Sequence, residues 1–209
     1  MNQEIIKVIV PIITFILGTV ISLFNIKSQK KLSNRCYPSI EEAHLPIALS
    51  EVDIAPGTKM YLTGDYARIH DSATTNKSND ITYLKITNLG PGNMMNCNVN
   101  VVISTTDLKE EWHLKIHVPL IRKDEMILIP TVKMSMLNKR VITNRVLIDY
   151  LTQSNEKMRY TLKIQSVNDD STSIKEILQV YVFKWFRKKI YSYQGKNSLF
   201  IYINYKKNK

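Results

Sequence analysis

Between Ile5 and Ile26 the chain reads IIKVIVPIITFILGTVISLFNI, 22 residues interrupted by one charge, Lys7. As an α-helix at 1.5 Å per residue this run is about 33 Å long, which matches a bilayer hydrocarbon core of about 30 Å. No polar face runs along it, so a soluble protein would have to bury it on every side. Lys7 lies near enough to the start to reach the headgroups, and Pro11 and Gly18 are better tolerated in membrane helices than in soluble ones. The run exceeds the apolar region of a secretory signal, and the stretch after it, NIKSQKKLSN, is a basic stop without a small-x-small cleavage site. The sequence predicts an uncleaved transmembrane anchor over residues 1–26.

The formal charge of +11 divides unevenly. Residues 27–35 hold Lys27, Lys30, Lys31 and Arg35 with no acid, and residues 184–209 hold eight basic residues with no acid. The 148 residues between them carry 16 basic and 17 acidic side chains. The excess is therefore confined to two ends of a neutral body, which excludes a fold that is basic throughout. One lysine, Lys7, lies near the start of the apolar run and four basic residues follow it, so the positive-inside bias places the N-terminus outside and the body in the cytoplasm. Cys36 and Cys97 are too few for a disulfide scaffold and agree with a reducing compartment.

Beyond a basic juxtamembrane linker at 27–35, apolar residues recur with period two. KMYLTGDYARI, ITYLKITNL, NVNVVIS, EWHLKIHVPL, EMILIP, NRVLIDYL, MRYTLKIQSV and EILQVYVFKWF read as strands bounded by turn residues such as GPG, RKD, SNE and NDDS. The last of these also fits a helical face, but its β-branched and aromatic centre favours a strand. Strands so closely spaced predict an all-β fold of antiparallel sheets over residues 36–190, followed by a basic aromatic C-terminal strand or tail at 191–209. Gly90-Pro91-Gly92 is expected to be the turn of a β-hairpin, its glycines supplying positive φ.

The stretch LKITNLGPGNMMNCNVNVVI, with Asn88, Gly90, Gly92 and Asn98, resembles the strand–turn–strand of immunoglobulin-like β-sandwich modules of the adhesion and cell-surface kind. In those modules a hydrophobic strand ends in Asn-x-Gly-x-Gly and the next opens with Asn-Val. The resemblance implies an antiparallel immunoglobulin-like β-sandwich behind the anchor, with a role in binding or spacing rather than catalysis. It also implies an extracytoplasmic body as the alternative to the cytoplasmic one.

Catalytic and metal chemistry find little in the sequence. His113 and His117 would lie about 13 Å apart along a strand, too far for one ion, and no glutamate adjoins them as in a zinc-protease helix. Glu41, Glu42 and His44 lack a third group to orient them. Cys36, next to the basic linker, is the better candidate for lipidation or redox chemistry, and Cys97 the better core residue. No cofactor or metal is expected. The polar residues that stand out are membrane-proximal: Lys27, Lys30, Lys31 and Arg35 after the helix, and Trp185, Arg187, Lys188 and Lys189 in KWFRKK, where aromatic rings beside cations suit a headgroup layer. The expectation is a non-catalytic, single-pass binding or sensor module whose partners are the bilayer and a protein or small ligand. The alternative is a nucleotide or nucleic-acid binder using the basic aromatic C-terminal segment.

Overall fold

The structure is a computed structural model that describes residues 3–47, 56–72, 80–105, 110–133, 135, 141–168, 171–182 and 186–197. One long helix, α1 (Gln3–Ser33), precedes a body of two sheets. None of the described side chains from Ile9 to Lys30 is buried, and Phe15 and Phe24 are 76% and 73% exposed. The helix is long and apolar enough to cross a membrane. Its threonines satisfy themselves internally, Thr14 Oγ1 donating to the Val10 carbonyl at 2.8 Å and Thr19 Oγ1 to the Phe15 carbonyl at 2.9 Å, as an apolar solvent requires. The helix does not stop at Ile26. Lys27, Lys30 and Lys31 are good helix formers, and Lys30 and Lys31 in its last turn oppose the partial negative charge of its C-terminus.

The first sheet orders its strands β1-β3-β6-β2, with β1 Pro38–Pro46, β2 Lys59–Met60, β3 Asp80–Asn88 and β6 Met126–Pro130. The second orders them β10-β9-β8-β7-β4-β5, with β4 Met94–Thr105, β5 Glu111–Ile121, β7 Val141–Thr152, β8 Lys157–Asn168, β9 Ser171–Tyr181 and β10 Arg187–Asn197. Apart from the short parallel β2–β6 pair, every pairing is antiparallel. The expected all-β body of antiparallel sheets is therefore present, and SIKEILQVY is a strand.

One buried cluster joins the sheets. Leu84, Ile86, Ile127 and Ile129 from the first meet Cys97, Val99, Val101, Ile103, Val146, Ile148 and Tyr150 from the second, the every-second-residue selection that a pleated strand imposes. The opposite face of the first sheet is buried too. Ala43, Leu45, Ile81, Tyr83 and Leu128 pack with Tyr66 and Ile69 of a short helix, α2 (Gly64–Ser72). Both faces of β3 are thus covered, which is why residues 81–84 are buried without interruption.

Two expectations are corrected. KMYLTGDYARI is a two-residue strand followed by α2, because Thr63 caps a helix: its Oγ1 accepts from the Tyr66 N–H at 3.3 Å and its carbonyl from the Ala67 N–H at 3.3 Å. The second correction concerns β3 and β4, which do not form a hairpin. They lie in different sheets, and Gly90-Pro91-Gly92 is the corner between them. Neither glycine has positive φ. They are needed for space, since a Cβ on Gly90 would collide with Cys36 Cα and one on Gly92 would stand 2.8 Å from the Asn34 carbonyl oxygen. Fully buried Asn88 holds the corner: its Nδ2 donates to the Gly92 carbonyl at 2.8 Å and to the Ile121 and Arg122 carbonyls at 3.2 Å, while its Oδ1 accepts from the Gly90 N–H at 3.1 Å.

Gly90→Ala is expected to lower stability by about 3 kcal/mol through backbone overlap, whereas Gly18→Ala, where an added Cβ meets nothing, should change it little. Denaturant unfolding of the full chain in detergent micelles measures both.

A second outcome concerns Glu42, on β1, whose Oε1 is buried without a hydrogen-bond partner. Burial raises its carboxyl above the ordinary value, against the opposing influence of Thr143 and His44. A folded-state value above the unfolded one means that ionisation disfavours the fold, so this carboxyl costs stability as pH rises through and beyond the ordinary carboxylate range. Glu42→Gln should stabilise by about 1 kcal/mol near neutrality and by nothing in acid, as read from unfolding midpoints across pH.

Candidate functional site

The segment that leaves α1 is clamped on two sides. On one side Leu89, at the Gly90–Gly92 corner, donates its N–H to the Tyr37 carbonyl at 3.0 Å. On the other stands the turn between β7 and β8. That turn is shaped by Asn155, with φ at 58°, by the Asn155 N–H donating to the Thr152 carbonyl at 2.8 Å, and by the Glu156 N–H donating to Thr152 Oγ1 at 3.1 Å. It presents Ser154 and Glu156 to the helix end. Asn34 Nδ2 donates to Ser154 Oγ at 2.8 Å and to the Lys30 carbonyl at 3.0 Å, and Ser154 Oγ donates to the same carbonyl at 3.1 Å. The exposed C-terminal carbonyl of the helix is thereby capped by the body itself.

The Arg35 guanidinium grips the Glu156 carboxylate with two bonds of 2.9 Å. Glu156 is buried, and its hydrogen bond raises the Arg35 guanidinium above its ordinary value. Tyr150, also buried, donates its hydroxyl to the Cys36 carbonyl at 2.6 Å. Cys36 itself is fully buried, and burial pushes its thiol up to about 11. Cys36, the better placed of the two cysteines by sequence for lipidation or redox chemistry, is thus no more accessible than Cys97, since a buried thiol that stays protonated is neither reached nor nucleophilic. Cys97 is equally buried and pushed up to about 12 by the same cause.

A cleft of about 580 Å³ opens between the helix end, this turn and the β9–β10 hairpin, lined by Lys31, Arg35, Asn155, Glu156, Lys157, Val180, Tyr181, Val182 and Lys188. Arg35 and Glu156 neutralise each other in it, leaving Lys31, Lys157 and Lys188 as its excess charge. Along its rim the register sets Arg187 opposite Tyr181 and Met158 opposite Val180. The Tyr181 ring consequently carries three cations: Lys157 Nζ at 4.9 Å, Arg159 at 5.6 Å and Arg187 at 5.7 Å from its centroid. Of these, Arg159 also makes two bonds of 2.7 and 2.6 Å to Asp149.

Of the residues singled out in the sequence, Lys31, Arg35 and Lys188 line one cleft, and Arg187 stands beside it on the Tyr181 ring. Lys27 lies one turn before Lys31 on the same side of the helix; Lys30 and Lys189 are exposed nearby in sequence, on α1 and β10. Trp185 lies outside the described residues. Arg35 differs from the rest, because its charge is committed to Glu156. Lys157, Arg159, Tyr181 and Glu156 escape a reading of charge runs, since they are scattered through β8, β9 and a turn. Aligning KMRYTLKI with EILQVYV as a hairpin would have brought Lys157, Arg159 and Tyr181 together.

The other candidates have local partners. His113 Nε2 lies 2.9 Å from Glu111 and His117 Nδ1 lies 3.1 Å from Asn98, both on exposed β5 positions. Glu41 pairs with Lys85 at 2.8 Å and His44 Nδ1 lies 3.3 Å from Thr82 Oγ1. Among the described residues no three His, Cys, Asp or Glu side chains gather as a metal site would need. Comparison of the chain with protein-family models, curated proteins and solved structures finds no match in any of the three.

Removing Arg35 should cost about 3 kcal/mol, because it strands the buried Glu156 carboxylate, and removing Glu156 should cost less, because Arg35 is partly exposed. Arg35→Met combined with Glu156→Leu should recover most of that loss, and a double-mutant cycle on unfolding free energies measures the coupling.

Proposed function

We propose that this chain is a single-pass, membrane-tethered, non-catalytic binding module whose β body works at the membrane surface on the cytoplasmic side. One observation carries the reading: an apolar helix, exposed along its length, ends in a joint that fixes it to a folded body, and cations cluster around that joint. Lys27, Lys30, Lys31, Lys157, Arg187, Lys188 and Lys189 are all associated with the C-terminal end of the helix or the strands beside it, against Lys7 alone near the other end. That distribution favours a cytoplasmic body under the positive-inside bias.

We read the body as an immunoglobulin-like sandwich. In support, β1, β3 and β6 stand where strands A, B and E of such a fold stand. The order β8-β7-β4-β5 corresponds to G, F, C and C′, and β9 and β10 extend the sheet past G. The crossing of β3 to β4 between sheets, which replaces the expected hairpin, is itself a B-to-C connection on this plan.

The second reading, nucleotide or nucleic-acid binding, draws on Tyr191 and Tyr193 of β10, 45% and 44% exposed close to Arg187, Lys188 and Lys189. A salt-dependent affinity for single-stranded nucleic acid, lost on Arg187→Ala with Lys188→Ala, would favour it.

For the membrane reading, the full chain should resist alkaline carbonate extraction. Because both native thiols are fully buried, Ser192→Cys on exposed β10 adds one thiol that an impermeant reagent can reach. It should label only after permeabilisation; labelling in intact cells would place the body outside, and release into the carbonate supernatant would refute the anchor.

A further inference from the structure

We infer that the cleft between the helix end and the β9–β10 hairpin binds the phosphate-bearing headgroup of an anionic phospholipid from the leaflet in which α1 ends. The inference rests on the membrane reading above and names the ligand that its surface takes. Three independent features point to it.

The first is charge. Lys31, Lys157 and Lys188 bring three positive charges to a cleft whose lining contains one acid, Glu156, and that acid is neutralised by Arg35. Among the described residues, no carboxylate forms an ion pair with any of the three lysines. Lysine ammonium groups on flexible stems bind phosphate as point charges and need no fixed fork geometry. The Asn155 amide, on the same lining, is a neutral donor.

The second is depth. Lys31 lies five residues beyond Ile26, about 7.5 Å further along the helix axis. The bilayer is about 40–45 Å thick with its headgroups and about 30 Å without them, so each headgroup layer is about 5–7 Å deep. The helix wall of the cleft therefore stands at the outer edge of the headgroups, and Lys27, one turn back on the same side, stands at their inner edge. A phosphate held between these lysines remains attached to a lipid in place.

The third is rigidity. A lysine-rich juxtamembrane segment on a free linker would attract any anionic surface diffusely. Here the bonds of Asn34, Arg35 and Tyr150 fix the helix end against the β7–β8 turn, so Lys31 and Lys157 are held across one cleft from each other. Its volume, about 580 Å³, is within the range of small-molecule sites, about 300–1,000 Å³.

The test uses the full chain in lipid nanodiscs that mix phosphatidylcholine with phosphatidylglycerol, followed by mild detergent extraction and native mass spectrometry of the lipids that remain bound. The wild-type chain should retain phosphatidylglycerol in excess of its share of the disc. Lys31→Gln, Lys157→Gln and Lys188→Gln should each reduce that enrichment by about fivefold, the factor that one basic residue contributes near an anionic leaflet. Lys115→Gln combined with Lys163→Gln and Lys175→Gln removes three charges, more than any one of these variants, from exposed positions on β5, β8 and β9 and should still leave the enrichment intact.

Equal retention of the two lipids, or an equal loss in the control variant, would overturn the assignment. Displacement of the lipid by inorganic phosphate at matched concentration would assign the cleft to a soluble phosphate and also overturn it. A chain that never enters the discs refutes the membrane reading instead, so the two failures are told apart.

Discussion

The structure depends on one close passage of backbone past backbone. As the chain leaves α1, residues Asn34 to Tyr37 run against the Gly90–Gly92 corner so tightly that a single Cβ on Gly90 would overlap Cys36. On its other side the passage is held by polar bonds, from Arg35 to Glu156, from Asn34 to Ser154 and from Tyr150 to the Cys36 carbonyl. The glycines set the distance and the bonds set the orientation. Without the first the segment could not seat, and without the second it would have no reason to stay. Their joint effect is that a long apolar helix and a β body, which share no extensive packing surface, are connected by a joint with defined geometry.

The body shows a related economy in its first sheet. Three principal strands and a short fourth make too narrow a layer to leave one face in water, given Leu45, Ile81, Tyr83 and Leu128 on the side away from the sandwich. The helix α2 covers that side with Tyr66 and Ile69, and the Tyr66 hydroxyl donates to the Ile47 carbonyl at 2.8 Å. The sheet is thereby sealed twice, once by the second sheet and once by a helix of nine residues. Such a short helix would be marginal alone, and its apolar face is stabilised by what it covers.

Electrostatics follows from the same joint. Two basic stretches far apart in sequence, one closing α1 and one opening β10, meet because β7, β8, β9 and β10 form a meander whose turn lies against the helix end. Tyr181 is the aromatic centre of the meeting point. Burial and the nearby Asp149 carboxylate raise its phenol above the ordinary value, against the opposing influence of Arg159 and Arg187. The ring is uncharged at neutral pH and offers its face to cations rather than a counter-ion, so Lys157 and Arg187 keep their charge beside it, whereas that of Arg159 is committed to Asp149.

Much of this was legible in the amino-acid order alone. The length of Ile5–Ile26 and its apolarity, broken only by Lys7 near its start, dictate a helix that water cannot solvate, because helix length and residue hydropathy are local quantities. Period-two alternation dictates the strands for the same reason, and the charge asymmetry follows from counting. What sequence could not supply is which strands meet. GPG marks a reversal, yet whether the reversal pairs β3 with β4 or sends them to opposite sheets depends on partners 30 or more residues away, β1 and β6 for the one and β7 for the other. The glycines' true role as spacers required knowing that residues 34–37 pass beside them. The strand-to-helix error at Thr63–Ile69 had a visible warning in its cap residue, Thr63, which alternation outweighed. The cleft belongs wholly to the tertiary structure: its lysines come from a helix end, a strand after a turn, and a hairpin, and only long-range register brings residues so separated within reach of one ligand.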